Sequence, residues 1–106
     1  MKMNVYTSKR KPTTVGEILE QEFLLELEIT QGKLAQDIKV SRRTINELVN
    51  NRRSLSADMA LRLSKYFGNS AEFWINLQKM TDLWEAFHGK KAKEIKSIKP
   101  LRLNAA

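Results

Sequence analysis

Apolar residues recur along this chain at spacings of three and four, so the pattern predicts helices almost throughout. Val15, Ile18, Leu19 and Phe23 fall on one side of a first helix, with the glutamates elsewhere. Thr14-Val15-Gly16-Glu17 forms its capping box, in which the threonine caps and Glu17 reaches back. Thr30 caps a second, short helix to about Ile38, and Ser41 a third to about Asn50. Ser56 opens a fourth with Asp58 in its first turn; Ala60, Leu63 and Phe67 follow at helical spacing, and Gly68 stops it. Ser70 caps a fifth, again with an acid, Glu72, in its first turn. Only Glu94 to Leu101 alternates, which allows a strand through Ile95-Lys96-Ser97-Ile98 that Pro100 would end. The expectation is an all-α, five-helix domain over residues 14–88. A basic N-terminal arm (1–13) and a basic C-terminal tail (89–106) flank it.

Two short helices joined by a tight turn, Gln31 to Asn50, make a helix-turn-helix. Ala35 is small where the helices must cross. Leu34 and Ile38 face inward from the first, Val40 plugs the turn, and Ile45 and Leu48 line the second. With Ile45 and Leu48 inside, Arg42, Arg43, Asn46, Glu47 and Asn50 form the exposed stripe, with Thr44 at its edge. Such side chains suit a major groove: arginine for guanine, asparagine for adenine, glutamate accepting from cytosine. Arg42, Arg43, Thr44, Asn46 and Glu47 are the candidate base readers. Gln31 and Lys33 at the start of the first helix, Asn50 at the end of the second, and Arg52 and Arg53 beyond it are placed for phosphates. Each of these residues alone would mean little, since exposed helix faces are usually polar. It is their coincidence with the inner apolar spacing that carries the reading.

Charge sharpens the picture. The net charge is +7, and it is segregated. Residues 14–28 carry Glu17, Glu20, Glu22, Glu26 and Glu28 with no basic residue, whereas 33–53 carry six basic residues against Asp37 and Glu47. One face is therefore built for an anion and another turns away from it. With no cysteine and a single histidine, His88, that has no ligand spacing around it, neither a cofactor nor a metal is expected. No apolar run nears the roughly 20 residues of a membrane span, and the N-terminus has no apolar signal core; a cytoplasmic protein is expected. A ribonuclease would need a general acid and base beside a basic cleft, and no such pair is visible. An adaptor would leave the Arg42–Asn50 stripe unexplained.

The run TQGKLAQDIKVSRRTINELVNNRRSLSADMALRLSKYF, Thr30 to Phe67, resembles the xenobiotic-response-element (phage-repressor-like) helix-turn-helix family. More narrowly, VGEILEQEF and RRSLSADMALRLSKYFGNSAEFWINLQ are similar to HigA-type antitoxins, with GNSAEFWINLQ (Gly68 to Gln78) the most specific part. The resemblance covers about residues 12–87. It implies a five-helix fold, a homodimer on double-stranded operator DNA, repression of the chain's own operon and neutralisation of a partner toxin. That toxin would be a small, basic, ribosome-dependent messenger-RNA endonuclease. By position it places DNA contacts at Gln31, Arg42, Arg43, Thr44, Asn46, Glu47 and Asn50. A stand-alone regulator without a toxin is the alternative. Lys39 and Asn51 stand where such motifs usually have glycine. Lys39 in a left-handed turn would cost roughly 1 kcal/mol, and asparagine adopts that conformation more readily than most residues. Gly32 weakens the start of the second helix slightly.

On the fifth helix Phe73, Leu77, Met80, Trp84 and Phe87 form a seam. Its early half (Phe73, Trp74, Leu77) is assigned to the core. The later residues Met80, Trp84 and Phe87 are assigned to a dimer interface that would hold two recognition helices about one DNA turn apart. The basic arm has three readings: a groove-binding arm, a toxin-binding segment or plain disorder.

Overall fold

The computed structural model describes residues 5–102; Lys2 of the basic arm and the last four residues of the tail lie outside them. After a 3-10 turn (Val5–Thr7) come α1 (Val15–Ile18), α2 (Gln31–Ile38), α3 (Arg42–Val49), α4 (Ala57–Phe67), α5 (Ala71–His88) and a short α6 (Ala92–Lys96). The first helix runs on past Ile18 as a π-helical stretch (Leu19–Leu24), closed by the Leu25 amide donating to the Glu20 carbonyl at 2.9 Å. The architecture is all-α with no strand among the described residues. The five expected helices are present, and a sixth takes up the first residues of the segment read as a possible strand, the rest of which has no regular structure. Ala92 to Lys96 coils there because no neighbouring strand offers it a ladder, and Lys96 sets its ammonium 4.7 Å above the Phe87 ring. Among the described residues no helix is long and apolar enough to cross a membrane.

Every anticipated cap is made. The Thr14 hydroxyl accepts from the Glu17 amide at 3.1 Å while the Thr14 amide donates back to Glu17. Thr30, Ser41, Ser56 and Ser70 accept in the same way from Lys33, Thr44, Met59 and Phe73. Each cap contributes about 1 kcal/mol. The core is built from all five main helices: Leu19, Leu34, Ile45, Leu48, Leu63 and Trp74 are fully buried. The Trp74 indole N–H donates to Asn69 Oδ1 at 2.9 Å, so no polar atom is stranded there.

Two details fix where α3 sits. A Cβ on Gly16 would lie 2.5 Å from the Leu48 and Val49 carbonyl oxygens, so only glycine lets α1 approach the end of α3 this closely. From the other side the Leu55 amide donates to Gln78 Oε1 at 2.8 Å, pinning the loop after α3 to α5. Phe73 departs from its expected place. It is 40% exposed, with only its edge on Phe23 and Trp74, because Trp74 one position later takes the inward direction.

Candidate nucleic-acid interface

The α2–α3 unit is closed by a left-handed Lys39 (φ 64°), and the loop after α3 by a left-handed Asn51 (φ 59°), as the two non-glycine positions required. Lys39 is tolerated because its turn is held from outside: Arg62 on α4 donates to the Ile38 carbonyl at 2.7 Å and to Asp58 at 2.8 Å. Arg62 escaped the sequence reading, although Asp58 four positions earlier was a visible pairing signal. Leu34, Ala35, Ile38, Ile45 and Leu48 are buried as expected, joined by Val49, and Val40 packs half-buried in the turn.

Standing α3 on Ile45, Leu48 and Val49 turns Arg42, Arg43, Asn46 and Asn50 outward, with Thr44 and Glu47 half-buried at the edge. These side chains form a network rather than a row of free groups. Arg43 donates to Glu47 at 3.3 Å, and Arg53 reaches back to the same carboxylate at 2.9 Å. The Arg53 guanidinium first, and Arg43 after it, hold the Glu47 carboxyl below the usual carboxylate range despite its partial burial. Asn46 donates to the Gln31 side chain at 3.2 Å, bridging the start of α2 to the middle of α3. Asn50 donates to the Asn46 carbonyl at 2.9 Å. Arg42 and Arg52 stand exposed, with no ion pair among the described residues.

Of the residues assigned to bases, Arg42, Arg43, Thr44, Asn46 and Glu47 therefore share one surface. Gln31, Asn50 and Arg53 are tied into it by hydrogen bonds. Lys33 sits differently, its ammonium 3.0 Å from Asp37, which also accepts from the Tyr66 hydroxyl at 2.6 Å. That Tyr66–Asp37 link between α4 and α2 had no sequence signal, since its partners are 29 positions apart.

At the far end of α5, Trp84 and Phe87 are half-buried, as is Met80. Part of their cover comes from the chain's own N-terminal segment. The Trp84 indole donates to the Ser8 carbonyl at 2.9 Å, the Tyr6 ring meets Phe87 edge-on at 5.8 Å, and His88 stacks on Trp84 at 4.4 Å.

A helix-turn-helix family model matches residues 21–74. An uncharacterised helix-turn-helix transcriptional regulator of Haemophilus influenzae is 44% identical, covering 86% of each chain. Antitoxin HigA-1 of Vibrio cholerae is 40% identical over 89% of this chain and 88% of its own. Among solved structures, the antitoxin HigA of Pseudomonas aeruginosa with the higBA promoter superposes with a TM-score of 0.80. It is 46% identical and covers 86% of this chain and 99% of that one.

Proposed function

Since the chain belongs to the HigA-type branch of the helix-turn-helix family, whose members are DNA-binding proteins and not enzymes, we propose that it binds the operator of its own toxin–antitoxin operon as a homodimer, represses it, and neutralises the partner messenger-RNA endonuclease. The observation that carries the reading is the α3 face: a connected set of donors and acceptors raised on a buried apolar floor, of the kind that reads base edges. Arg42, Arg43, Thr44, Asn46 and Glu47 read bases, while Gln31, Lys33, Asn50, Arg52 and Arg53 hold phosphates. Glu47 does this partly by aiming Arg43 and Arg53. Met80, Trp84 and Phe87, with the N-terminal segment laid against them, face the second copy. A promoter-bound HigA relative supports the DNA reading, and the antitoxin name of the Vibrio relative supports the toxin.

Fluorescence anisotropy on DNA from upstream of the gene, against a scrambled duplex, tests the operator reading. Arg43→Ala should weaken upstream binding about 5- to 150-fold, the equivalent of ~1–3 kcal/mol, and leave scrambled DNA unaffected. Equal, salt-sensitive affinity of the native protein for both duplexes would reduce it to a basic protein attracted to phosphates. A second reading, a regulator with no toxin, is favoured by the Haemophilus relative's description as a transcriptional regulator. A search of the neighbouring genes for one encoding a small basic protein, and co-expression with it where one is present, separates the two: a stable complex that suppresses ribosome-dependent cleavage supports the antitoxin, and no such gene or no complex supports the regulator.

A further inference from the structure

The N-terminal segment is fastened on both sides of a short basic stretch. Ser8 accepts from Trp84 on α5, and Thr14 is buried as the cap of α1. The stretch between them holds Lys9, Arg10 and Lys11, and Pro12 restricts both itself and Lys11 before it. Lys11 lies three residues from the buried cap, so its backbone strays at most about 10 Å from it. The segment therefore delivers Lys11 to one place. That place is a mostly polar cleft of about 230 Å³ where Lys11 faces Arg52, Arg53 and Ser54 from the loop after α3. Leu48 and Asn51 line the same cleft, so it continues directly from the recognition helix. Arg53 is engaged with Glu47, whereas Arg52 and Lys11 are exposed and form no ion pair among the described residues. Glu85 on α5 is the one acid on the wall.

We propose that Lys11 and Arg52, with Ser54, bind a phosphate of the DNA backbone in this cleft, extending the contact surface beyond the helix-turn-helix. The proposal rests on the DNA-binding reading above and adds a site to it. The folded-back segment holds the lysine in position before DNA arrives, so little chain ordering opposes the contact. A backbone phosphate carries no sequence information, so the site adds affinity and register without selectivity.

The test is a salt series on the full chain with the upstream and scrambled duplexes. Lys11→Ala should weaken binding to both by the same factor. It should also flatten the slope of log K against log salt by about 0.9, the share of one phosphate. Glu85→Gln should act in the opposite sense and tighten both. Lys99→Ala, an equal charge change in the exposed tail, is the control and should leave the slope unchanged. A native slope in Lys11→Ala overturns the proposal, as does an equal loss in Lys99→Ala, which would reduce the effect to net charge. If the native chain fails to prefer upstream DNA, the operator reading falls, yet the Lys11 effect is still readable on the scrambled duplex.

Discussion

The exposed face of α3 and the last two turns of α5 both carry side chains with unmet demands, and they meet them in different ways. On α3 the polar groups bond to one another over short stretches of sequence: Arg43 to Glu47, Arg53 to Glu47, Asn46 to Gln31, the longest spanning 15 positions. On α5 the aromatic groups are met from the other end of the chain, Trp84 by Ser8 and His88 by Tyr6, 76 and 82 positions away. A polar network held locally leaves its outer edges turned to solvent and keeps its geometry before any ligand arrives. An aromatic seam held by a distant segment is already partly covered. A strong apolar pattern on a terminal helix is therefore not by itself a sign of an external partner, because the chain's own terminus competes for it.

The largest test attacks what the two regions share. Trp74 is fully buried where α5 begins, against Phe23 and Phe67. Trp74→Ala should cost about 3–5 kcal/mol in urea unfolding, for lost burial plus the cavity. Both regions should fail together, giving one cooperative transition at lower denaturant. A loss under about 1 kcal/mol would mean that the core is not centred on α5 at all.

Gly16→Ala strikes the recognition side alone. The added Cβ meets two backbone carbonyls at the end of α3, which have no flexible end to move aside. A destabilisation of about 1–3 kcal/mol is expected from such overpacking. Operator affinity should fall further than the folded fraction explains, since α3 must shift. If affinity follows the folded fraction alone, the Gly16 contact supports α3 without aiming it.

The same contrast explains what could be read from the sequence. Caps and the inward Ile45 and Leu48 are decided within a few residues, so local pattern reached them, while the left-handed Lys39 and Asn51 followed from the glycines that the family's motif usually has there. The outward stripe then followed by elimination, because a helix with its inner face fixed has no choice about its outer one. What stayed hidden depends on distant or backbone-level events. The π-helical turn after Ile18 leaves no compositional trace. Gly16 looked like an ordinary member of a capping box until α3 was packed on it. The N-terminal segment looked like a loose basic arm because Tyr6 and Ser8 find their partners more than 75 positions away. The network around Glu47 was illegible for another reason: spacing shows who is exposed, not which exposed groups pair.

A smaller effect tests the α5 side. Trp84→Phe keeps an aromatic ring on the seam but removes the five-membered ring and with it the indole N–H that meets Ser8. The lost hydrogen bond alone should cost about 0.5–1.5 kcal/mol, with the lost ring burial added to it, and the change should speed amide exchange around Ser8–Arg10, leaving the α3 amides unchanged. Sedimentation of Trp84→Glu separates the two roles proposed for this seam. Monomers would place a second copy on it, and an undisturbed dimer would leave it to the N-terminal segment alone.

The smallest expected effect is one of pH, at one of the places where the recognition unit depends on a distant partner. The Tyr66 hydroxyl first, and Lys33 after it, hold the exposed Asp37 carboxyl below the usual carboxylate range. The same hydrogen bond to Asp37 raises the Tyr66 phenol above its ordinary value. The two shifts set opposite limits. The carboxylate is favoured in the fold, so its contribution is complete above the ordinary carboxylate range and fades as pH falls through the lowered value. The protonated phenol is favoured as well, so its contribution is complete below the ordinary phenol range and fades as pH climbs through the raised value. Solvent screens exposed groups of this kind, so the total is modest. The difference in unfolding free energy between the native chain and Tyr66→Phe should therefore form a plateau around neutrality that closes at both ends. Asp37→Asn should lower the acid end in the same way. A difference that stays constant through the acid limb would mean that Tyr66 supports α2 by packing its ring, with no contribution from the carboxylate, and α4 would hold the back of the recognition unit through Arg62 alone.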